Sequence, residues 1–354
     1  MARSKPAPAA TNTEIQTIKV CVANSSFGIL PWQRNLWKQL INSHHNNRLS
    51  HAYLISGIDG VGKLHFTCNL VQSLLCQTPA KDGTPCNSCR SCHLFRVGNH
   101  PDIKYVIPDP EKKTGIISID TIREVNATDE LTTRFNGYKI IVITPADHLN
   151  RSAANSLLKT LEEPNPSTLL LLVTSKPARL LPTIKSRCQY LFFKPPKEAE
   201  ALAWLATQVK NQSNAALALR LTQGAPLAAL NFLQQDLLKI RQEAITAFFG
   251  LMKGHGNYLT VAETWNNQNL SLLLTWVSSW LADLLRLQTA ANNVRLDNPD
   301  LVDILKQHVN ELNSAHLHRL WSQVITARKQ LQQSTVNPLL LIETILIQWS
   351  NIAL

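Results

Sequence analysis

The chain has no apolar run of membrane-spanning length. The longest candidate, LSLLLTWVSSWLA (270–282), stops after 13 residues and soon meets Asp283 and Arg286, which suits a buried core helix. The opening MARSKPAPAATNTEIQ has no apolar stretch of the secretory kind, so residues 1–26 are expected to be a flexible extension. No repeat of fixed period is found, which excludes a solenoid or propeller. Cysteines are too few and too unevenly placed for a disulfide scaffold: four of the seven cluster and three stand apart. That distribution points to a reducing, cytoplasmic compartment and a metal site. Charged residues make up 17% of the chain against 44% hydrophobic, the balance of a folded globular protein.

At 354 residues the chain is long enough for two or three domains. Its net charge of +11 sits at the front: residues 1–236 hold 26 Lys/Arg against 16 Asp/Glu, residues 237–354 only 9 against 8. A polyanion would meet the front half, although a basic balance also serves solubility. HAYLISG, KIIVIT (139–144) and TLLLLVTS (168–175) are short apolar runs bounded by turn residues, as expected for strands buried on both faces of a parallel sheet. Between the last two, Ala154, Leu157, Leu158 and Leu161 form one helical stripe, stopped by Pro164 and Pro166. Strand, helix, strand makes the front an α/β domain. After KPP (194–196) only helical periodicity remains, broken at Gln223-Gly224-Ala225-Pro226. Five of the eight tryptophans lie beyond residue 237 and are expected to be packing anchors.

GIDGVGKLHF (57–66) follows the strand HAYLIS and has the spacing of a phosphate-binding loop. In such a loop glycines let backbone N–H groups approach phosphate and the lysine adds a point charge, so Gly57, Gly60, Gly62 and Lys63 are the candidate nucleotide residues. The next position should be a hydroxyl that holds magnesium, and it is Leu64. The acidic pair expected at the end of KIIVI is replaced by Thr144-Pro145, with Asp147 three residues on. The loop keeps a cradle and lacks the metal ligands of phosphoryl transfer. Whether it still binds ATP is open, and hydrolysis is not expected.

Cys76, Cys86, Cys89 and Cys92 are spaced C-x9-C-x2-C-x2-C, with turn residues Asp82-Gly83 and Thr84-Pro85 in between. Two tight knuckles suit four thiolates on one tetrahedral zinc ion as a structural staple. An iron–sulfur cluster is the competitor, since C-x2-C-x2-C also begins ferredoxin runs, but the fourth cysteine here is N-terminal and no Cys-Pro follows. His93 and His100 are expected to be surface or packing residues. Ser118 or Asp120 should cap a helix over ISIDTIREV, and Cys188 should be a small buried residue. Lys139, Arg151, Lys176, Arg179 and Lys185 add to the basic front, each with a solvated face as its default role.

SLLKTLEEPNPSTLLLLVTSKPARLLPTIKSRCQY (156–190) resembles the central signature of bacterial sliding-clamp loader subunits of the AAA+ superfamily, and the likeness runs from about LPWQRNLW (30–37) to residue 236. It implies an AAA+ α/β domain over 27–195 with a zinc module at 76–92, a helical lid over 196–236 and a helical oligomerisation collar over 237–354. Leu64, Thr144, Pro145 and Leu227 depart from the motor subunits' pattern, and all fall on ATP chemistry. The resemblance therefore implies a non-hydrolysing subunit of the DNA polymerase III loader. Its partners would be the motor (tau/gamma) subunits, the delta subunit, the sliding clamp and primer–template DNA, with no membrane. To Arg187 the resemblance gives the role of an arginine finger completing a neighbour's ATP site. From the residue alone, the simpler reading of Arg187 is that it caps a helix C-terminus or pairs with a carboxylate, and Glu162 and Glu163 could be interface carboxylates or a solvated pair. The rival functions are an active AAA+ motor and a zinc-containing DNA-binding module.

Overall fold

Residues 28–109, 115–129, 133–135, 137–209, 213–289, 295–332 and 336–351 are described by the computed structural model of the chain; the extension expected over 1–26 lies outside them. Among the described residues two compact units are present, one containing residues 28–209 and 222–229, the other residues 213–221 and 230–351.

In the first unit the apolar runs become strands of one parallel sheet. They are β1 (Ala52–Gly57), β2 (Ile103–Val106), β3 (Lys139–Ile143), β4 (Thr168–Thr174) and β5 (Gln189–Phe193), in the order β2-β3-β4-β1-β5. Helices α1 (Arg34–His45), α2 (Lys63–Leu75), α3 (Arg90–Arg96), α4 (Ile119–Asp129), α5 (Arg151–Glu162), α6 (Pro182–Lys185) and α7 (Glu198–Gln208) belong to the same unit. Alternation along each strand sends residues to opposite faces and builds two cores. Tyr53, Ile55, Val142, Leu171 and Phe193 pack with Trp37 of α1 and Phe66 of α2. Leu54, Ile141, Ile143, Leu170 and Leu172 pack with Leu157 and Leu161 of α5 and Ile184 of α6. With helices on both faces, β4 is buried at every residue, which explains its continuous leucine run.

The weaker strand β2 has no such run. Its IKYV is buried fully only at Val106, because it lies at the sheet edge. At the opposite edge β5 buries Leu191 and Phe193, while Tyr190 and Phe192 are half exposed. Ser118 is the cap of α4: its Oγ accepts from the Thr121 N–H at 3.5 Å. Asn150 caps α5, its side chain accepting from Ala153 N at 2.7 Å.

The second unit is helical: α8 (Ala215–Leu221), the greater part of α9 (Pro226–Gln234), α10 (Leu237–Met252), α11 (Tyr258–Asn266), α12 (Leu270–Thr289), α13 (Val302–His308), α14 (Ser314–Gln332) and α15 (Pro338–Ser350). The tryptophans anchor it as expected. Trp280 and Trp349 are fully buried, and Trp349 stacks on Phe248 at 4.1 Å and donates to its carbonyl at 2.6 Å.

Helix α12 is longer than its 13-residue apolar run, because the chain does not break at the charges. Asp283 is fully buried yet satisfied, accepting from Asn298 N (2.9 Å), Asn298 Nδ2 (2.8 Å) and Asp297 N (3.1 Å) and pairing with Arg286 at 2.7 Å. By length and composition this 20-residue helix could cross a membrane, with a mean hydropathy of 1.3. Here most of its apolar stretch is buried inside the protein, as in a core helix.

Candidate functional site

The carboxyl ends of β1, β3 and β4 converge, the usual place for a ligand in an open parallel sheet. The glycine loop leaves β1 at Gly57 and enters α2 at Lys63. Gly60 and Gly62 both have positive φ, +77° and +96°. A Cβ at Gly60 would lie 2.3 Å from that of Ala228, and one at Gly62 would lie 2.6 Å from Gln33 Nε2, so neither tolerates a side chain. Trp32 Nε1 donates to Val61 O at 3.0 Å and Gln33 Nε2 to Gly62 O at 2.9 Å, fastening the loop from outside.

Lys63 turns inward. Its side chain is 7% exposed; Nζ donates to Ile58 O at 2.8 Å and Ser175 Oγ at 3.3 Å, and lies 3.6 Å from Asp59 Oδ1. Leu64 packs against the sheet core, where a motor would present its magnesium-binding hydroxyl. At the end of β3 Thr144 is buried, with its N–H on Val106 O at 3.0 Å, and the Thr144–Pro145 peptide is cis. Asp147 sits in the following turn, and its Oδ1 accepts from Thr174 Oγ1 at 2.6 Å. Leu227, in the first turn of α9, donates its N–H to Gly60 O at 2.9 Å.

Arg187 lies between α6 and β5 and is held at two points. Its Nη2 pairs with Glu162 Oε1 at 2.7 Å, and its Nη1 donates to Thr183 O at 3.1 Å. Both local roles open to it from sequence, helix capping and carboxylate pairing, are thus realised. Glu162 ends α5, whose stop at Pro164 fixes where that carboxylate stands. With both side chains over a third exposed (36% and 50%), the pair contributes little stability, about 0–1 kcal/mol. Its consequence is orientation: the guanidinium is steered while part of it still faces solvent. Cys188 is partly rather than fully buried, packed on the α5 face of the sheet, and burial pushes its thiol up to about 11.

The four clustered cysteines come together with all Sγ atoms within 4.8 Å of one another. Four sulfurs about 2.3 Å from one tetrahedral ion lie about 3.8 Å apart, and Cys86 and Cys92 are at 4.0 Å. A multi-iron cluster places several metals and sulfides between its thiolates and needs them farther apart, so the geometry fits a single ion. Backbone N–H groups of Cys86, Cys89 and Cys92 point at the sulfurs of Cys76 (3.2 Å), Cys86 (3.3 Å) and Cys89 (3.4 Å), the knuckle arrangement. A hydrogen bond with Thr78, first among several, draws the Cys86 thiol down to about 5, whereas burial pushes Cys76 and Cys92 up. The surrounding loop is fixed to the domain by Trp37 Nε1 on Asp82 O (2.8 Å), Ser73 Oγ on Gly83 O (2.5 Å) and Gln72 Nε2 on Asn87 Oδ1 (2.8 Å). His93 is exposed; His100 is buried and bonded to Ser91 Oγ at 2.9 Å, so neither joins the cluster.

The sheet therefore brings Gly57, Gly60, Gly62 and Lys63 into one loop and sets Arg187 apart, next to the edge strand. Asp59, Ser175 and Thr174 carry no signal in the sequence. Their contacts span 116 and 27 residues, and no local pattern announces such pairs.

Residues 32–197 match the family described as DNA polymerase III, delta subunit, and residues 235–351 its C-terminal region. Residues 196–234 match the AAA+ ATPase lid domain of DNA polymerase III subunit delta'. The subunit delta' of Pseudomonas aeruginosa is 34% identical over 327 residues, 92% of this chain and 98% of that protein. That of Escherichia coli is 34% identical, covering 90% and 94%, and that of Bacillus subtilis 32%, covering 86% and 92%. Together with the parallel sheet and the degenerate phosphate loop, these likenesses place the chain in the DNA polymerase III subunit delta' family.

Proposed function

We propose that this chain is the non-hydrolysing member of a sliding-clamp loader, a rigid subunit that lends Arg187 to a neighbour's ATP site. The observation that carries the reading is the contrast between two cations: Lys63 is engaged by its own chain, whereas Arg187 is steered by Glu162 with part of its guanidinium open. No hydroxyl stands at Leu64 and no carboxylate at Thr144 or Pro145, so magnesium has no ligands of the motor type. An arginine supplied in trans stabilises charge on the transferring phosphoryl group and is worth about 10³–10⁵ in rate. The subunit would thereby be required for hydrolysis that it does not perform.

The partners in this reading are motor (tau/gamma) subunits carrying the nucleotide, the delta subunit, the sliding clamp, and primer–template DNA held within the assembly. The division into an AAA+ domain (27–195), a lid (196–236) and a collar (237–354) accords with the residues matched by the three family models. The four thiolates would hold Zn²⁺, a soft-ligand tetrahedral ion that would close the loop over 76–92 and perform no catalysis. Free cysteines throughout the described residues accord with a cytoplasmic location.

The test is Arg187→Ala in a loader reconstituted from purified subunits. Assembly and the melting temperature should be unchanged, while ATP turnover falls; unchanged turnover with assembly verified would reject the reading.

A further inference from the structure

The glycine loop is a cradle whose anion is already present, supplied by the chain itself. Lys63 Nζ lies 3.6 Å from Asp59 Oδ1 and donates to Ser175 Oγ at 3.3 Å, and Ser175 Oγ donates to the same Asp59 oxygen. Ammonium, hydroxyl and carboxylate close a small ring that ties the loop after β1 to the residue after β4. In a working phosphate loop the lysine's partner is a phosphate oxygen. Here the acceptor is a carboxylate four residues before the lysine, inside the loop's own variable positions.

We propose that Asp59 is a built-in substitute for the nucleotide's phosphate: it engages Lys63 and Ser175 in place of a polyphosphate and holds the loop in its occupied form without a ligand. A second contact acts in the same sense. Leu227 N donates to Gly60 O, and Ala228 stands against Gly60 so closely that even a methyl group there would clash. The first turn of α9 is thereby bonded to the loop directly, with no nucleotide required between them. The absence of hydrolysis follows from missing metal ligands, whereas Asp59 acts one step earlier, on binding.

Asp59 is 82% exposed, so its carboxylate faces water and repels any incoming polyanion, while Lys63 behind it is buried. Removing the carboxylate should therefore uncover a latent polyphosphate site without dismantling the loop, which Trp32 and Gln33 fasten independently.

The experiment measures binding of inorganic tripolyphosphate to the full chain by calorimetry, with the melting temperature as a second readout. The wild-type chain should show no tripolyphosphate-dependent stabilisation. Asp59→Ala and the more conservative Asp59→Asn should both bind tripolyphosphate at least about tenfold more tightly, and adding Lys63→Ala should abolish that gain. Wild-type affinity equal to that of Asp59→Ala would overturn the proposal. So would a gain that survives the loss of Lys63, or no gain in either Asp59 variant. The outcome is independent of Arg187, whose role is read in the assembled loader.

Discussion

Lys63 and Arg187 are placed by neighbouring strands of one sheet and meet opposite fates. The lysine follows β1, is almost fully buried and finds its partners in its own loop and at the end of β4. The arginine precedes β5, is over a third exposed and has one carboxylate and one carbonyl to orient it. A buried cation must be satisfied from within, so Lys63 is committed to its loop. A half-exposed one can exchange a weak partner for a stronger anion at little cost, since an exposed ion pair is worth only about 0–1 kcal/mol. Losing a site and serving a neighbour's site are thus separable properties of one fold.

The comparison breaks most visibly at Arg187. In the reconstituted loader, Arg187→Ala should lower turnover at the nucleotide site it completes by about 10³-fold, whereas Lys63→Ala should leave turnover unchanged. Equal losses would erase the distinction. Chelation of the zinc proposed at Cys76, Cys86, Cys89 and Cys92 comes next. It should release about one zinc per chain, measured by a metal-indicator dye, and lower the melting temperature by about 5 °C or more. Loss of iron with visible absorbance would contradict the assignment of zinc. Glu162→Gln keeps the shape but removes the steering charge, so turnover should fall only about tenfold or less with stability nearly unchanged. A loss as large as that of Arg187→Ala would mean that Glu162 itself reaches the neighbour's site.

Much of this was legible in the sequence where chemistry is local. KIIVI and TLLLLVT are continuous because helices cover both sheet faces, and the cysteine spacing alone announced a knuckle pair that the sulfur positions bear out. The stripe Ala154–Leu161 and its stop at Pro164 gave the helix that carries Glu162. What stayed hidden depends on distant partners. Asp59 and Ser175 meet across 116 residues, and Arg187 finds a carboxylate on another helix. The reach of α12 past Asp283 was hidden because three of the hydrogen bonds that satisfy this buried carboxylate come from Asn298 and Asp297, beyond the helix. The edge strand β2, half exposed and four residues long, left no apolar run to find.

Phosphate release by the purified chain alone, at millimolar ATP and magnesium, tests the central claim most directly. The wild-type chain and Leu64→Thr, which restores the hydroxyl without the acidic pair, should both release none above a no-protein control. Steady release that disappears on Lys63→Ala would contradict the account.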